Sequence, residues 1–329
     1  MKAMVLAATG PIEQAPLGLL DVADPRPGPG QLLIRVGACG VCRSNLHMVE
    51  GDWLPGTPAV LPIIPGHEVV GTVVAVGAGV GTASVGDRVG VAPIWSTCGQ
   101  CRYCLTGREQ LCRARQITGE TRDGGYAELM LADAAFAQPI PDGLTDTAAA
   151  PLLCPGLTAY AAVGKAKLVA GQQVAVFGIG GVGHLVIQLA RLTGAQVYAV
   201  SRDRRNHAIA EEVGANAGYL PGGLADASVD AAIVFAPSAS AVAEALRVTR
   251  PGGRVVLGVA ETVGPLDIGD EHTVIGTVLG NRWELRQVLD LAAEGRIRAL
   301  HTEFPLADAN GVLARLKSGE IRARAVVVP

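Results

Sequence analysis

Charge is scarce in this 329-residue chain: Asp, Glu, Lys and Arg together make up 17% of it, against 49% hydrophobic residues. Such a composition excludes a disordered or polyelectrolyte protein, because there is more apolar surface to bury than charge to solvate. The net charge of -3 supplies no general attraction to nucleic acid or to an anionic bilayer. A long apolar run is missing too. The most membrane-like stretch, residues 174–190, is interrupted by Gly178, Gly180, Gly181 and Gly183 and falls short of the ~20 apolar residues of a spanning helix. Residues 1–8 have neither the apolar length nor the cleavage site of a secretory signal. These absences predict a soluble, cytoplasmic protein with no nucleic-acid or membrane partner. Lysine is rare beside arginine, so only single arginines are read as functional.

What is present divides the chain. Its length exceeds one ordinary core, and a prior of roughly 150 residues per domain suggests two. Residues 1 to about 150 read as β-rich, with short apolar strands at 32–36, 69–76 and 88–91 between Gly, Pro and Asp turns. From residue 173 β-branched runs alternate with helical periods: strands at 174–177, 197–200, 230–235, 254–259 and 274–279, helices at 182–192, 206–213 and 241–248. That alternation predicts an α/β chain with a doubly wound parallel sheet. Helices at 283–294 and 307–317 and a strand at 325–328 continue past a complete nucleotide-binding unit, so they are assigned back to the first domain. The expected division is 1–154 with 283–329, and 155–282.

The seven cysteines are odd in number and clustered, which in a cytosolic chain favours metal binding over disulfides. Cys98, Cys101, Cys104 and Cys112 form C-x2-C-x2-C-x7-C in one polar, non-periodic loop. Four thiolates so spaced can wrap a tetrahedral zinc and leave no position open for a substrate. An iron–sulfur site or unpaired surface thiols are the alternatives; Arg113 stands where the bacterial ferredoxin run carries proline. Cys39 and Cys42 form a further C-x2-C, ambiguous alone between a redox pair and half a zinc ribbon. His67 and Cys154 lie beside glycine or proline and are the remaining candidates. Two cysteines and a histidine from separated segments are a known catalytic zinc set, although a lone buried histidine is more often structural.

Gly178, Gly180 and Gly183, with Gly181 and Val182 between them, form G-x-G-x-x-G between a strand and a periodic helix. In that context the first glycine permits the turn, the second admits a pyrophosphate, and the third lets the helix pack on the strand. The helix N-terminus then faces the phosphates.

The motifs KAMVL, GVCRSNLH, PGHEVVG, VGDRV, the four-cysteine loop, GGYAE, LLCPGLTAY, GIGGVGH and SGEIRARAVVVP occur in order from end to end. In them the chain resembles the zinc-containing medium-chain alcohol dehydrogenases. The resemblance implies a GroES-like catalytic domain and a Rossmann cofactor domain, with two zinc ions per subunit. It places catalytic zinc on Cys42, His67 and Cys154 and structural zinc on the four-cysteine loop. Cys39 becomes a small buried apolar residue, and Glu68 supports the metal or exchanges onto it. Asn45 stands where the family usually has aspartate. Ser44 and His47 match a proton relay, although Ser44 could instead cap a helix starting at Asn45. Arg43 and Arg324 match contacts to the cofactor pyrophosphate, and surface arginine is the alternative for each.

Cofactor choice falls at the end of the second strand of the nucleotide domain. There the family register puts Ser201 and Arg202 where NAD enzymes carry an acidic residue. This favours NADP(H); Asp203, two residues on, could restore NAD(H), and the arginines could be only a solvated face. Trp53 and Trp95 are candidate walls of a substrate pocket, or core residues. A narrow pocket would suit small or flat primary alcohols and aldehydes. Within the family a cinnamyl- or aryl-type aldehyde reductase and a secondary-alcohol dehydrogenase are alternatives. A polyol dehydrogenase would commonly carry glutamate at Cys154, and zinc-free reductases lack both cysteine sets. A non-catalytic NADP- or zinc-binding protein would be expected to have lost ligands or relay. Related bacterial chains are homodimers or homotetramers joined through the edge strand, here 274–279.

Overall fold

The computed structural model describes residues 1–52 and 60–329. The chain separates into two compact units: Met1–Cys154 with Asn281–Ala293 and Ala299–Pro329, and Pro155–Gly280 with Glu294–Arg298. The fold is mixed α/β, a GroES-like unit and a Rossmann-like parallel-sheet unit. No single helix among the described residues is long and apolar enough to cross a membrane.

The first unit is built on a sheet whose central strand is Gln31–Val41. It pairs antiparallel with Val69–Val76 on one side and with Arg324–Val328 and Leu129–Asp133. Inward residues Leu32, Ile34, Val36, Val41, Val69 and Val73 alternate into a core that also takes Leu46 and Val49 from the helix Arg43–Glu50. The central strand runs five residues beyond the expected 32–36, because glycines and small residues from 37 to 40 interrupt the apolar alternation without breaking the pairing. The strand His301–Pro305 was not expected from the sequence; its residues are mostly exposed and it pairs only with Arg324–Val328.

The second unit is an all-parallel six-stranded sheet. In spatial order its strands are Ala217–Tyr219, Gln196–Val200, Gln173–Phe177, Val229–Val234, Thr249–Leu257 and Thr273–Gly276. Numbered along the chain this is 3-2-1-4-5-6, the Rossmann order, in which ligands bind beyond the carboxyl ends of the strands where the order reverses. The central strands are apolar on both faces, as a sheet covered by helices requires. Two expectations change. Ala217–Tyr219 is a strand although too short to show a period. The outermost strand ends at Gly276 instead of 279, and Leu279 takes a left-handed φ of 45° that a strand does not use.

The glycine fingerprint joins Gln173–Phe177 to the helix Gly183–Leu192, with Val182 as its N-cap. Gly178 has φ +90°, and a Cβ there would meet the Ala236 backbone nitrogen at 2.6 Å. A Cβ on Gly183 would meet the Gly178 carbonyl oxygen at 2.0 Å, so helix and turn pack backbone on backbone. A Cβ on Gly180 would meet no protein atom within 4 Å. Gly183→Ala is therefore expected to cost about 1–3 kcal/mol, since the obstructing group is main chain, whereas Gly180→Ala leaves stability unchanged; thermal melts of both variants check the contrast.

Candidate functional site

Pairing of strands assembles the first cluster. Cys39 lies opposite Val69, so Cys42, just past the end of one strand, and His67 and Glu68, just before the start of the other, fall at the same end. Cys154 arrives from the turn that follows Ala150–Leu152. The ligand atoms of Cys42, His67, Glu68 and Cys154 all lie within 4.8 Å of one another. Within this cluster a hydrogen bond from Cys154 holds the Cys42 thiol well below its ordinary value, with the nearby His67 acting in the same direction, while Cys154 is pushed up by the same sharing with Cys42. His67 is 2% exposed, and its Nε2 is buried without a hydrogen-bond partner, 3.9 Å from Glu68 Oε1.

An orphaned buried imidazole nitrogen facing two sulfurs fits a zinc ion, which takes this soft and borderline donor set tetrahedrally. Glu68 is already held: both of its oxygens accept from Arg324 Nη2, at 2.5 and 2.6 Å. Burial pushes the Glu68 carboxyl up to about 7, with Arg324 pulling it down. To reach Arg324 the carboxylate crosses over Gly40, where a Cβ would sit 2.0 Å from Glu68 Oε2. Arg324, expected at a cofactor pyrophosphate, is 5% exposed and serves here as the counter-charge to Glu68. Cys39 stays out of the cluster; it is fully buried in the core, and burial pushes its thiol up.

The helix Arg43–Glu50 begins two residues earlier than a cap at Ser44 would allow. Cys42 is the N-cap, and Asn45 returns its side-chain oxygen to the Cys42 N–H at 3.3 Å, as in a capping box. Ser44 is thereby released from capping, and its Oγ is buried without a hydrogen-bond partner. One turn on, His47 Nδ1 lies 2.9 Å from Asp52 Oδ1, a partner the sequence reading missed. Arg43, on the first turn, is exposed. Asn45 itself is fully buried, with Nδ2 3.3 Å from His67 Nδ1 and Oδ1 accepting from Tyr126 Oη at 3.4 Å.

The four-cysteine loop forms the second cluster. Sulfur separations of 3.6 Å (Cys101–Cys104 and Cys98–Cys112) and 3.9 Å (Cys98–Cys104) stand close to about 3.8 Å, the edge of a tetrahedron with Zn–S bonds of about 2.3 Å. Backbone N–H groups of Gln100 and Cys101 aimed at Cys98 hold its thiol down to about 6. The loop is tied to the helix Arg282–Ala293 by Glu109, which accepts from the backbone and the guanidinium of Arg282, and by Asn281 donating to the Gly107 carbonyl. The sequence carries no periodic signal for this anchor, since its partners are about 170 residues apart.

At the end of the strand Gln196–Val200, Ser201 Oγ accepts from the Asp203 N–H at 3.2 Å and from Asn206 Nδ2 at 3.0 Å. Asp203 is the N-cap of Arg204–Glu212; both carboxylate oxygens are engaged by Arg205. Arg202 is exposed beside them. A capping aspartate before a helix is legible in sequence, and it explains why Asp203 is spoken for. Trp53 lies outside the described residues. Trp95 is 8% exposed under the Arg122 guanidinium and lines a groove of about 470 Å³ with Val5, Ile64 and Met130. None of the four clustered residues Cys42, His67, Glu68 and Cys154 is part of that lining.

Residues 28–142 match the family model of the alcohol dehydrogenase GroES-like domain, and residues 181–294 that of the zinc-binding dehydrogenase. An alcohol dehydrogenase of Geobacillus stearothermophilus is 39% identical over 95% of this chain and 96% of its own length. The alcohol dehydrogenase of the hyperthermophilic archaeon Aeropyrum pernix superposes with a TM-score of 0.91 at 31% identity, covering 100% of both chains. A cobalt- and zinc-bound thermostable alcohol dehydrogenase from Pyrobaculum aerophilum gives 0.90 at 34% identity, over 100% of this chain and 99% of that one. Matches of this extent, on a fold that gathers two clusters able to hold a metal and a glycine-rich strand-to-helix turn, mean that the chain belongs to the zinc-dependent medium-chain dehydrogenase/reductase family, in its alcohol dehydrogenase branch.

Proposed function

We propose that this zinc alcohol dehydrogenase interconverts small or flat primary alcohols and their aldehydes with NADP(H), using a catalytic and a structural zinc in each subunit. The cluster of Cys42, His67 and Cys154, with the orphaned His67 Nε2 at its centre, carries the reading. A zinc ion held there supplies a Lewis acid that polarises the substrate oxygen and acidifies its hydroxyl. A nicotinamide bound beyond the glycine turn would accept the hydride of oxidation, and the hydroxyl proton has to leave through the protein. Ser44, whose buried hydroxyl has no other partner, is suited to take that proton and hand it towards His47. His47 carries it outward, and Asp52 at 2.9 Å orients the ring. The four-cysteine cluster offers no open position and orders its loop.

The preference for NADP(H) rests on Ser201 and Asp203. The Asp203 carboxylate, two residues beyond the strand end, is committed to capping a helix and to Arg205, leaving the Ser201 hydroxyl proton and Arg202 to meet a 2′-phosphate. Assembly as a homodimer or homotetramer is assigned to the outermost strand Thr273–Gly276, flanked by exposed Leu266, Ile268 and Val278.

Cys42→Ala is expected to fold and to retain about half of the zinc, with turnover lost; full turnover in that variant would end the catalytic assignment. Metal analysis beside a melting curve measures it. Ser44→Ala should keep both metals and lower kcat by about 100-fold, within the range of a general acid–base group. For the cofactor, kcat/KM with NADP should exceed that with NAD by about tenfold or more, the worth of one charge-assisted hydrogen bond. Ser201→Asp should reverse the order, and equal or better use of NAD by the unaltered enzyme would contradict the Ser201–Arg202 argument.

A further inference from the structure

Asn45 is turned the wrong way for a metal-bearing histidine. Its side chain has three neighbours within hydrogen-bond distance, all buried: the Cys42 N–H at 3.3 Å, the Tyr126 hydroxyl at 3.4 Å and His67 Nδ1 at 3.3 Å. A backbone N–H can only donate, so the atom facing Cys42 has to be the amide oxygen, and the network thereby assigns the amide's orientation. Tyr126 Oη approaches that same oxygen as a donor. The NH2 group is left facing His67 Nδ1, which has to accept. A neutral imidazole that accepts at Nδ1 carries its hydrogen on Nε2. Yet Nε2 is the atom aimed into the cluster with Cys42 and Cys154, and a ligating nitrogen needs its lone pair.

Loading a metal on Nε2 puts the hydrogen on Nδ1, where it meets the amide NH2 donor to donor. Rotating the amide by half a turn relieves His67 but sets NH2 against the Cys42 N–H; only Tyr126 can adapt, by turning its hydroxyl to accept. In either orientation the loaded site keeps one buried donor facing another. An aspartate would accept from all three neighbours.

We propose that Asn45 is a positioning residue that biases His67 towards its non-ligating hydrogen-bonding state, making the Cys42–His67–Cys154 site a weaker and faster-exchanging zinc site than the same site with aspartate. The inference rests on the assignment of catalytic zinc to those three residues. Partners of metal-bound histidines change metal affinity by about 10- to 100-fold when altered, which sets the expected scale.

The test is zinc release from the holoenzyme into excess chromogenic chelator, compared between the natural chain and Asn45→Asp. The four-cysteine zinc serves as an internal reference. In Asn45→Asp the catalytic-site zinc should be retained about 10- to 100-fold longer while the reference phase is unchanged. Release at the same rate or faster, with the reference unchanged, overturns the proposal. If the substitution disturbs the reference phase as well, the unmutated chain decides: nitrogen-resolved NMR of His67 after the catalytic zinc has left should find the neutral ring's hydrogen on Nε2, and finding it on Nδ1 overturns the proposal. Cys42→Ala separates this from the underlying assignment, because persistence of the fast-releasing zinc in that variant would move the metal elsewhere and overturn the assignment together with the proposal that rests on it.

Discussion

The register of Gln31–Val41 against Val69–Val76 and Arg324–Val328, two of its antiparallel neighbours, is the constraint on which the Cys42–His67–Cys154 cluster depends. Cys39 opposes Val69 on one side and Val327 on the other, which brings Cys42, Glu68 and Arg324 to one end of three adjacent strands. Side chains alternate between faces along a strand, so a slip by one residue would send each inward group outward. Apolar residues on both sides of the central strand hold that register, and it in turn allows the Glu68 carboxylate to cross over Gly40 to Arg324. A carboxylate and a guanidinium buried to this degree are tolerable only together. Removing one partner of such a pair costs about 3–5 kcal/mol, since the other charge is left without compensation.

The two sulfur clusters answer different physical problems. The four-cysteine loop has no core of its own, and its order comes from the sulfur tetrahedron and from the Glu109–Arg282 anchor. The dispersed cluster is held by strand ends and a helix start, which fix where its ligand atoms lie. Preorganisation of that kind suits chemistry, because the ligands have little freedom left to lose. The cost appears in an amide whose orientation is dictated by the helix it helps to cap.

Asn45 also shows how one side chain can serve competing demands. Its oxygen closes the N-terminus of Arg43–Glu50, which leaves the Ser44 hydroxyl out of the cap; its nitrogen is then what His67 meets. Capping and metal support are satisfied together by a carboxylate and only in part by an amide.

Much of this protein was legible in the sequence. The parallel strands of the second unit, the glycine turn and the four-cysteine loop are local patterns whose spacing carries its own physical meaning, and each stands in the structure close to where the sequence put it. The Cys42, His67 and Cys154 grouping was readable only through resemblance, because three short motifs separated by 25 and 87 residues have no spacing rule to connect them. Tertiary structure alone decided the rest. It sent Arg324 to Glu68, tied Glu109 to Arg282, set Asp52 beside His47, spent Asp203 on a helix cap, and put Trp95 in a groove with Ile64 and Met130. A polar side chain's role follows from which donors and acceptors reach it. Strand register and chain reversals settle that at long range, where sequence periodicity is silent.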